Sequence, residues 1–344
     1  MKISHIFYSL NYGGIETLIV NVANWQADKG HDVSVILISN IYEKSLIDAI
    51  NSKVKVVYLG RRKNSKGIMA AGKLNLFLIK KQFDILHIHA AEIGNIILPF
   101  LKSKRILHVH STLGITNSVI PRYDKCIAIS HSVKRILELE YNSKNIVVLY
   151  NGVDFSKFIK KNSQLISNKI VCVGSLNIKI KNQNGIISEF SKNKDRIDAD
   201  LHIIGDGPDY EILKSLIDRL HLNDRVFLLG KKSQEWIQQH LCGYDLFVQA
   251  SHSEGLGIAA IEAAASCIPL LLSKIDGHIE ISENGCLCEL FDSTVEGDLA
   301  EKIIDFYDNS NIYFELALKN YTIHESKYNF DLYNKKLLNT YHLI

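Results

Sequence analysis

The sequence predicts two α/β domains in succession, each a doubly wound parallel sheet with helices on both faces. Three features carry this expectation. The chain has 344 residues, more than one hydrophobic core usually supports. Short β-branched runs alternate with helix-length amphipathic stretches from the first residue. That alternation restarts after a polar segment rich in Lys and Ser.

Taken in order, KISHIFYSL reads as a strand, followed by a helix from about Gly14 to Lys29 and further strands at DVSVILIS, KVKVVYL, DILHIHA, RILHVH and CIAIS. A turn at Asn151-Gly152-Val153-Asp154 follows the strand NIVVLY, which bounds a first domain over 1–155 and a linker over 156–168. The second domain, 169–328, repeats the pattern with KIVCVGS, ADLHIIGDG, RVFLLG, YDLFVQAS and IPLLLS, with helices near 182–193, 208–221, 233–241 and 257–266. No internal repeat relates the halves. A last helix over 329–344 is expected to pack back on the first domain.

With 47% apolar and 22% charged residues and four prolines, the composition is that of an ordered globule. No apolar run is long enough to cross a membrane, and no leader-like segment follows Met1, so a cytoplasmic location is expected, with a peripheral position on the membrane inner face as an extension. The six cysteines lie in apolar segments without paired zinc spacing, and Cys286-x-Cys288 is too weak a metal signal to use. The net charge of +3 conceals an asymmetry. Residues 1–150 hold 20 Lys+Arg against 10 Asp+Glu, so the remaining 194 hold 20 against 27. The basic first half, with clusters at Arg61-Arg62-Lys63, Lys80-Lys81 and Lys102–Arg105, suits an anionic membrane surface or a phosphate-bearing acceptor as well as a plain solvated face. No nucleic-acid partner is expected.

In open α/β sheets ligands bind beyond the carboxyl ends of the strands, so the loops after strands are the places to search. The strongest is Ser251-His-Ser-Glu-Gly-Leu-Gly-Ile-Ala-Ala-Ile-Glu262, where a strand ends, two glycines permit close backbone approach and an Ala-rich helix begins near Gly257. The helix N-terminus is an anion site suited to a diphosphate, with Glu254 before it and Glu262 a little over one turn inside. A carboxylate accepts hydroxyl hydrogen bonds, so two hydroxyl-bearing rings flanking a diphosphate fit this layout. Asn11-Tyr-Gly-Gly-Ile-Glu-Thr17 after the first strand places Gly13 and Gly14 at a second helix start. In RILHVHSTLG, His110 terminates its strand, whereas His108, His87 and His89 alternate with apolar residues and read as core or rim.

Glu254 and Glu262 resemble the E-x7-E motif of retaining family 4 glycosyltransferases, and the similarity extends over nearly the whole chain. The resemblance implies the GT-B fold, two Rossmann-like domains facing across a cleft, and transfer of a sugar from a nucleotide diphosphate sugar to a glycan. It implies that Glu254 contacts the donor sugar, Glu262 the ribose, and the amides of Leu256, Gly257 and Ile258 the phosphates. The Gly13-Gly14 loop is similar to the family's GG loop, in the GGIET form of exopolysaccharide and capsule enzymes, and His110 resembles the histidine beside the donor sugar. VGSLNIKIKNQ stands where the family has an arginine and a lysine on the diphosphate; Lys181 looks like that lysine, but Ser175 occupies the arginine's place, with Lys179 or Arg225 as substitutes for its charge. Gly205-Asp-Gly-Pro208 resembles a family landmark whose role is to shape a turn. Gly230 and Lys231 lie where the base is usually held.

Asp198-Ala-Asp200 matches a D-x-D metal motif superficially but sits at the start of a strand, away from the ligand loops. No His/Asp/Glu metal cluster, Walker loop or G-x-S-x-G elbow is apparent, so metal hydrolase, ATPase and α/β-hydrolase are disfavoured and neither metal nor cofactor is expected beyond the sugar nucleotide. The resemblance further implies a hexosyltransferase-type enzyme that retains donor configuration, UDP as carrier, a polyprenyl-diphosphate-linked acceptor and domain closure on donor binding. A sugar-nucleotide epimerase of the same fold and a non-catalytic nucleotide- or glycan-binding subunit remain the alternatives.

Overall fold

The computed structural model describes all residues except Tyr12, 62–66, 112–114, Asn117, Ser118 and Ser163. Of the basic clusters, Arg62 and Lys63 therefore lie outside the described residues. The chain divides into two compact units, Met1–Gly152 with Asp331–Ile344, and Val153–Phe330.

The first unit runs β1 (Lys2–Phe7), α1 (Gly14–Asp28), β2 (Asp32–Ser39), α2 (Lys44–Asp48), β3 (Lys55–Arg61), α3 (Ile68–Lys81), β4 (Ile85–Ile88), β5 (Lys104–Val109), β6 (Lys125–Ala128), α4 (His131–Leu139) and β7 (Ile146–Val148). Its seven strands are parallel in the order β3-β2-β1-β4-β5-β6-β7. Helices cover both faces, so the strands read as continuous apolar runs rather than alternating ones; all six central residues of β2 and all four of β4 are buried. Helix α1 places Ile19, Val20, Ala23 and Ala27 on Val33 and Val35 of β2.

The second unit runs β8 (Lys169–Val173), α5 (Ile178–Lys181), α6 (Gln183–Lys192), β9 (Asp200–Ile204), α7 (Tyr210–Arg219), β10 (Val226–Gly230), α8 (Gln234–His240), β11 (Leu246–Gln249), α9 (Ile258–Ala265), β12 (Leu270–Ser273), α10 (Asp276–Ile281), β13 (Glu289–Phe291), α11 (Asp298–Asp308) and α12 (Ser310–Tyr328). Six parallel strands follow the order β10-β9-β8-β11-β12-β13. The segment read as a linker is held on this unit. Lys161 Nζ lies 2.9 Å from Asp245 Oδ1, both side chains buried, and Asp245 also accepts from the backbone N–H groups of Ser167 and Lys169. The small side chains of α9, with Ala260, Ala263, Ala264 and Ala265 all buried, let it pack against β11, β12 and α12 together.

Helix α13 (Phe330–His342) carries the chain onto the first unit. There Trp25 Nε1 donates to Asp331 Oδ1 at 2.9 Å, and Tyr333, Leu337 and Tyr341 are buried. No described helix is long and apolar enough to cross a membrane. Strand order reverses between β1 and β4 in the first unit and between β8 and β11 in the second, and each reversal opens a crevice at the carboxyl ends of those strands.

Candidate active site

Lys181 and Glu254 come from the segments that follow β8 and β11, the two strands of the second unit's reversal, and they meet there as an ion pair. Their side chains are 18% and 10% exposed. Glu254 Oε1 also accepts from Ser251 Oγ at 2.8 Å and Gln249 Nε2 at 2.9 Å, so one carboxylate oxygen gathers three donors. Taking the charge out of bulk water is tolerated because it is both paired and hydrogen-bonded. A Cβ on Gly277 would lie 2.7 Å from the Glu254 carbonyl oxygen, so the start of α10 sits directly against the backbone that carries Glu254.

Gly257 caps α9 at φ +84°, in the left-handed region that favours glycine, and has no side chain to cover the first-turn N–H groups. Those amides and the helix dipole make the start of α9 a seat for an anion beside Leu256 and Ile258. Glu262, half-buried one turn inside, accepts from Gln234 Nε2 at 2.6 Å. Burial raises its carboxyl to about 7 against the weaker opposing effect of that hydrogen bond. The carboxylate expected from sequence is therefore partly protonated at neutral pH in the free protein.

His278, which the sequence reading passed over, belongs to the same crevice. It is fully buried, and its ring lies next to the place a Cβ on Gly257 would occupy. Its Nδ1 donates to the Ser273 carbonyl at 3.0 Å, which leaves Nε2 as an acceptor without a partner among the described residues. Burial lowers it to about 4. The strand-end rule that points to the other loops also points here, since Lys274-Ile-Asp-Gly-His278 follows IPLLLS directly.

Other candidates fall on neighbouring strand ends of this unit. Ser175 is exposed and its carbonyl accepts from Gln183 Nε2 at 2.8 Å. Gly205 at φ +153° leaves only 1.8 Å between a hypothetical Cβ and the Gly174 carbonyl oxygen, so the Gly205-Asp-Gly turn is pressed onto the loop that carries Ser175. Gly230 (φ +66°) accepts from the Gly205 N–H at 3.1 Å, and Lys231 beside it is exposed. Lys179 is exposed on α5. Arg225 does not replace the missing arginine: it precedes β10, at the opposite end from the ligand loops, and its guanidinium donates to the carbonyls of Ile197 and Ala199. Asp200 opens β9 at that same far end, 3.7 Å from Arg225.

In the first unit Gly13 precedes α1 in extended backbone that any residue adopts; a Cβ there would meet only the end of the Glu16 side chain, at 2.5 Å. Gly14 opens the helix, and Tyr12 of the same loop lies outside the described residues. His110 is buried, but not alone. The sequence shows no metal-type spacing; the fold brings His5, His87, His89, His108 and His110 together on one face of the sheet at β1, β4 and β5. Alternate residues of a strand share a face, and parallel register places His5 opposite His87, so residues 82 apart, and the pairs His87/His108 and His89/His110 that are 21 apart, come into contact in space. One row runs from His110 Nε2 to His89 Nδ1, from His89 Nε2 to His5 Nδ1 (both 3.1 Å), and from His5 Nε2 to Gln26 Oε1 at 2.9 Å. A second runs from His108 Nδ1 to His87 Nε2 at 3.1 Å and from His87 Nδ1 to the Tyr341 hydroxyl at 2.5 Å. Burial holds His5 to about 4 and His110 to about 3, and the other three well below the ordinary imidazole value.

Comparison with known proteins agrees with this architecture. The family described as Glycosyltransferase Family 4 matches residues 12–157, and Glycosyl transferases group 1 matches residues 154–322. The chain is 29% identical over 264 residues to N-acetyl-alpha-D-glucosaminyl L-malate synthase of Bacillus anthracis, covering 68% of each protein. It is 29% identical over 195 residues to the O-antigen biosynthesis glycosyltransferase WbnH of Escherichia coli, covering 56% of this chain and 53% of that one. Among solved structures, Anabaena HepE in complex with UDP-glucose superposes with a TM-score of 0.87 at 19% identity, over 100% of both chains. Two parallel α/β units and two family matches that together span nearly the whole sequence make the chain a glycosyltransferase of family 4 with the GT-B fold.

Proposed function

We propose that the chain transfers a sugar from a nucleotide diphosphate sugar, with UDP as carrier, to a hydroxyl of a glycan acceptor, retaining the configuration of the donor. The observation that carries this reading is the Lys181–Glu254 pair at the second unit's reversal, beside the uncapped start of α9. A diphosphate on the amides of Leu256, Gly257 and Ile258 would draw Lys181 toward itself, which frees Glu254 Oε1 for hydroxyls of the transferred sugar. Glu262 would take the ribose hydroxyls, and Gly230 and Lys231 the base. As the bond to the diphosphate breaks, negative charge grows on the leaving group, and the helix start and Lys181 stabilise it. Gly13, Gly14 and His110 are the first unit's candidates for phosphate and sugar.

With Glu254 given to the hydroxyls of the transferred sugar, we favour a same-face substitution assisted by a donor phosphate oxygen over attack by that carboxylate. The similarity to an O-antigen biosynthesis glycosyltransferase supports a surface-polysaccharide role, and a lipid-linked acceptor is part of the same proposal. The surface of α3 supports a peripheral membrane position, because Ile68, Met69, Leu76 and Ile79 are exposed there beside Lys73 and Lys80. Calorimetric titration with UDP, GDP and ADP in metal-free buffer tests the donor site. Micromolar binding of one nucleotide that disappears in Glu262→Ala supports it, and no binding of any of the three refutes it.

A further inference from the structure

Strand β11 runs between β8 and β12, and all four of its residues, Leu246-Phe-Val-Gln249, are buried. A strand flanked on both sides in a parallel sheet ordinarily holds apolar residues, and Gln249, 2% exposed and opposite Leu272 of β12, departs from this. Its Nε2 donates to Glu254 Oε1 at 2.9 Å, while its Oε1 has no partner among the described residues. An unpaired buried acceptor keeps the full cost of leaving water. Turning the amide over does not recover it, because Oε1 would then face the carboxylate, acceptor against acceptor. Leucine would fill the same place without a polar atom, so what the glutamine adds is the bond to Glu254.

The three donors on Glu254 Oε1 respond differently to an anion. Lys181 is a cation on a long flexible stem at the end of α5, and a diphosphate at the start of α9 would draw it away. Gln249 and Ser251 are neutral and buried, and they stand at the end of β11. That strand end is fastened in turn. Ser273 Oγ donates to the Ser251 carbonyl at 2.7 Å, and His278 Nδ1 donates to the Ser273 carbonyl at 3.0 Å. Once Lys181 has left, Oε1 keeps two fixed donors, and the direction from which the ammonium came is open to a hydroxyl.

We propose that Gln249 is a positioning residue, which holds the Glu254 carboxylate toward the transferred sugar after Lys181 has turned to the diphosphate. Its role rests on the reading of this crevice as the donor site. Gln249 acts through Glu254 and is not itself a contact of the sugar. Two hydrogen bonds from different directions fix the orientation of a carboxylate, whereas one lets it turn. With an apolar residue at 249, Ser251 Oγ is left as the one neutral donor to Oε1, and the carboxylate can follow Lys181 instead of facing the sugar.

The test compares the wild-type full chain with Gln249→Leu, using UDP, UDP-glucose and UDP-N-acetylglucosamine as probes in calorimetric titration. UDP should bind both proteins equally, while the sugar nucleotide that the wild type binds best should bind roughly 10-fold more weakly to the variant. In urea the variant should unfold at the wild-type midpoint or above it, because the unpaired acceptor is gone. Gln249→Met, which keeps the unbranched shape without the donor, should reproduce both results. Sugar-nucleotide affinity equal to that of the wild type in both variants overturns the proposal. A lowered unfolding midpoint in both does so equally, since it would make Gln249 a support of the fold. Failure of the wild type to bind UDP is a different result: it removes the donor reading, and the role of Gln249 falls with it.

Discussion

The side-chain amide of Gln26 stands between two histidine rows: its Oε1 lies 2.9 Å from His5 Nε2 and its Nε2 lies 3.4 Å from the Tyr341 hydroxyl. It is fully buried on α1 and ties the histidine face of the sheet to both α1 and α13. Gln26→Leu fills the same space but leaves His5 and Tyr341 each short of a partner. It should cost about 1 to 3 kcal/mol of stability, read from urea unfolding. An unchanged midpoint would mean that the bonds rearrange around the loss.

Glu254→Gln keeps the shape of the side chain and removes its charge. If Glu254 holds the transferred sugar, the turnover number falls on the order of 10²-fold while the nucleotide still binds. Gly277→Ala, which sets a Cβ against the Glu254 carbonyl, should lower turnover in the same direction. Wild-type turnover in Glu254→Gln would remove it from the chemistry.

Acid should unfold the first unit over the window in which histidines ordinarily titrate. His5 (about 4), His110 (about 3) and the three rings between them have folded values lowered from 6.5, so the unfolded chain binds more protons below that pH. Their contribution is fully present above pH 6.5 and is lost as pH falls toward 4. Glu262 acts in the opposite sense. Its folded value is raised to about 7, so ionisation destabilises the folded state as pH climbs from 4.5 to 7. Glu262→Gln should therefore stabilise the second unit at pH 8 and have little effect at pH 4.5. Melting curves across pH for Glu262→Gln and wild type measure the two slopes, and a Glu262→Gln effect independent of pH would contradict the assignment.

Deleting residues 331–344 takes Tyr333, Leu337 and Tyr341 from the first unit and exposes His87. Burial of an apolar side chain of this size is worth roughly 1.5 to 3 kcal/mol, so the loss should reach several kcal/mol and the first unit's melting should fall by about 10 °C or more. Wild-type melting of the truncated chain would show that α13 is only appended.

Replacement of Ile68, Met69 and Leu76 by Ser leaves every lysine of α3 in place. If the exposed face of α3 enters a bilayer, flotation with vesicles rich in anionic lipid falls at low salt. If only charge matters, flotation is unaffected by these changes and disappears with salt.

Much of the second unit's candidate site is legible in a short stretch of chain, because strand end, glycines and helix start are adjacent from Ser251 to Glu262. Lys181 stands out in sequence by its resemblance to the family's diphosphate lysine after this strand, but its pairing with Glu254 depends on β8 lying beside β11, which no local pattern states. Arg225 illustrates the limit. Its charge counts equally in sequence wherever it lies, yet strand direction puts it at the far end of the sheet, where its guanidinium donates to the carbonyls of Ile197 and Ala199.

Periodicity, turn residues and the Gly-rich strand ends are local properties, and so the sequence by itself determined the two doubly wound sheets and the loops in which chemistry should be sought. Tertiary structure decided what depends on parallel strand order and register. It set His278 against Gly257, and it gathered five histidines from β1, β4 and β5 under α1 and α13. The reason is that neighbours in a parallel sheet are separated in sequence by a whole crossover connection, so two residues can share a face and a hydrogen bond while nothing near either of them records the other.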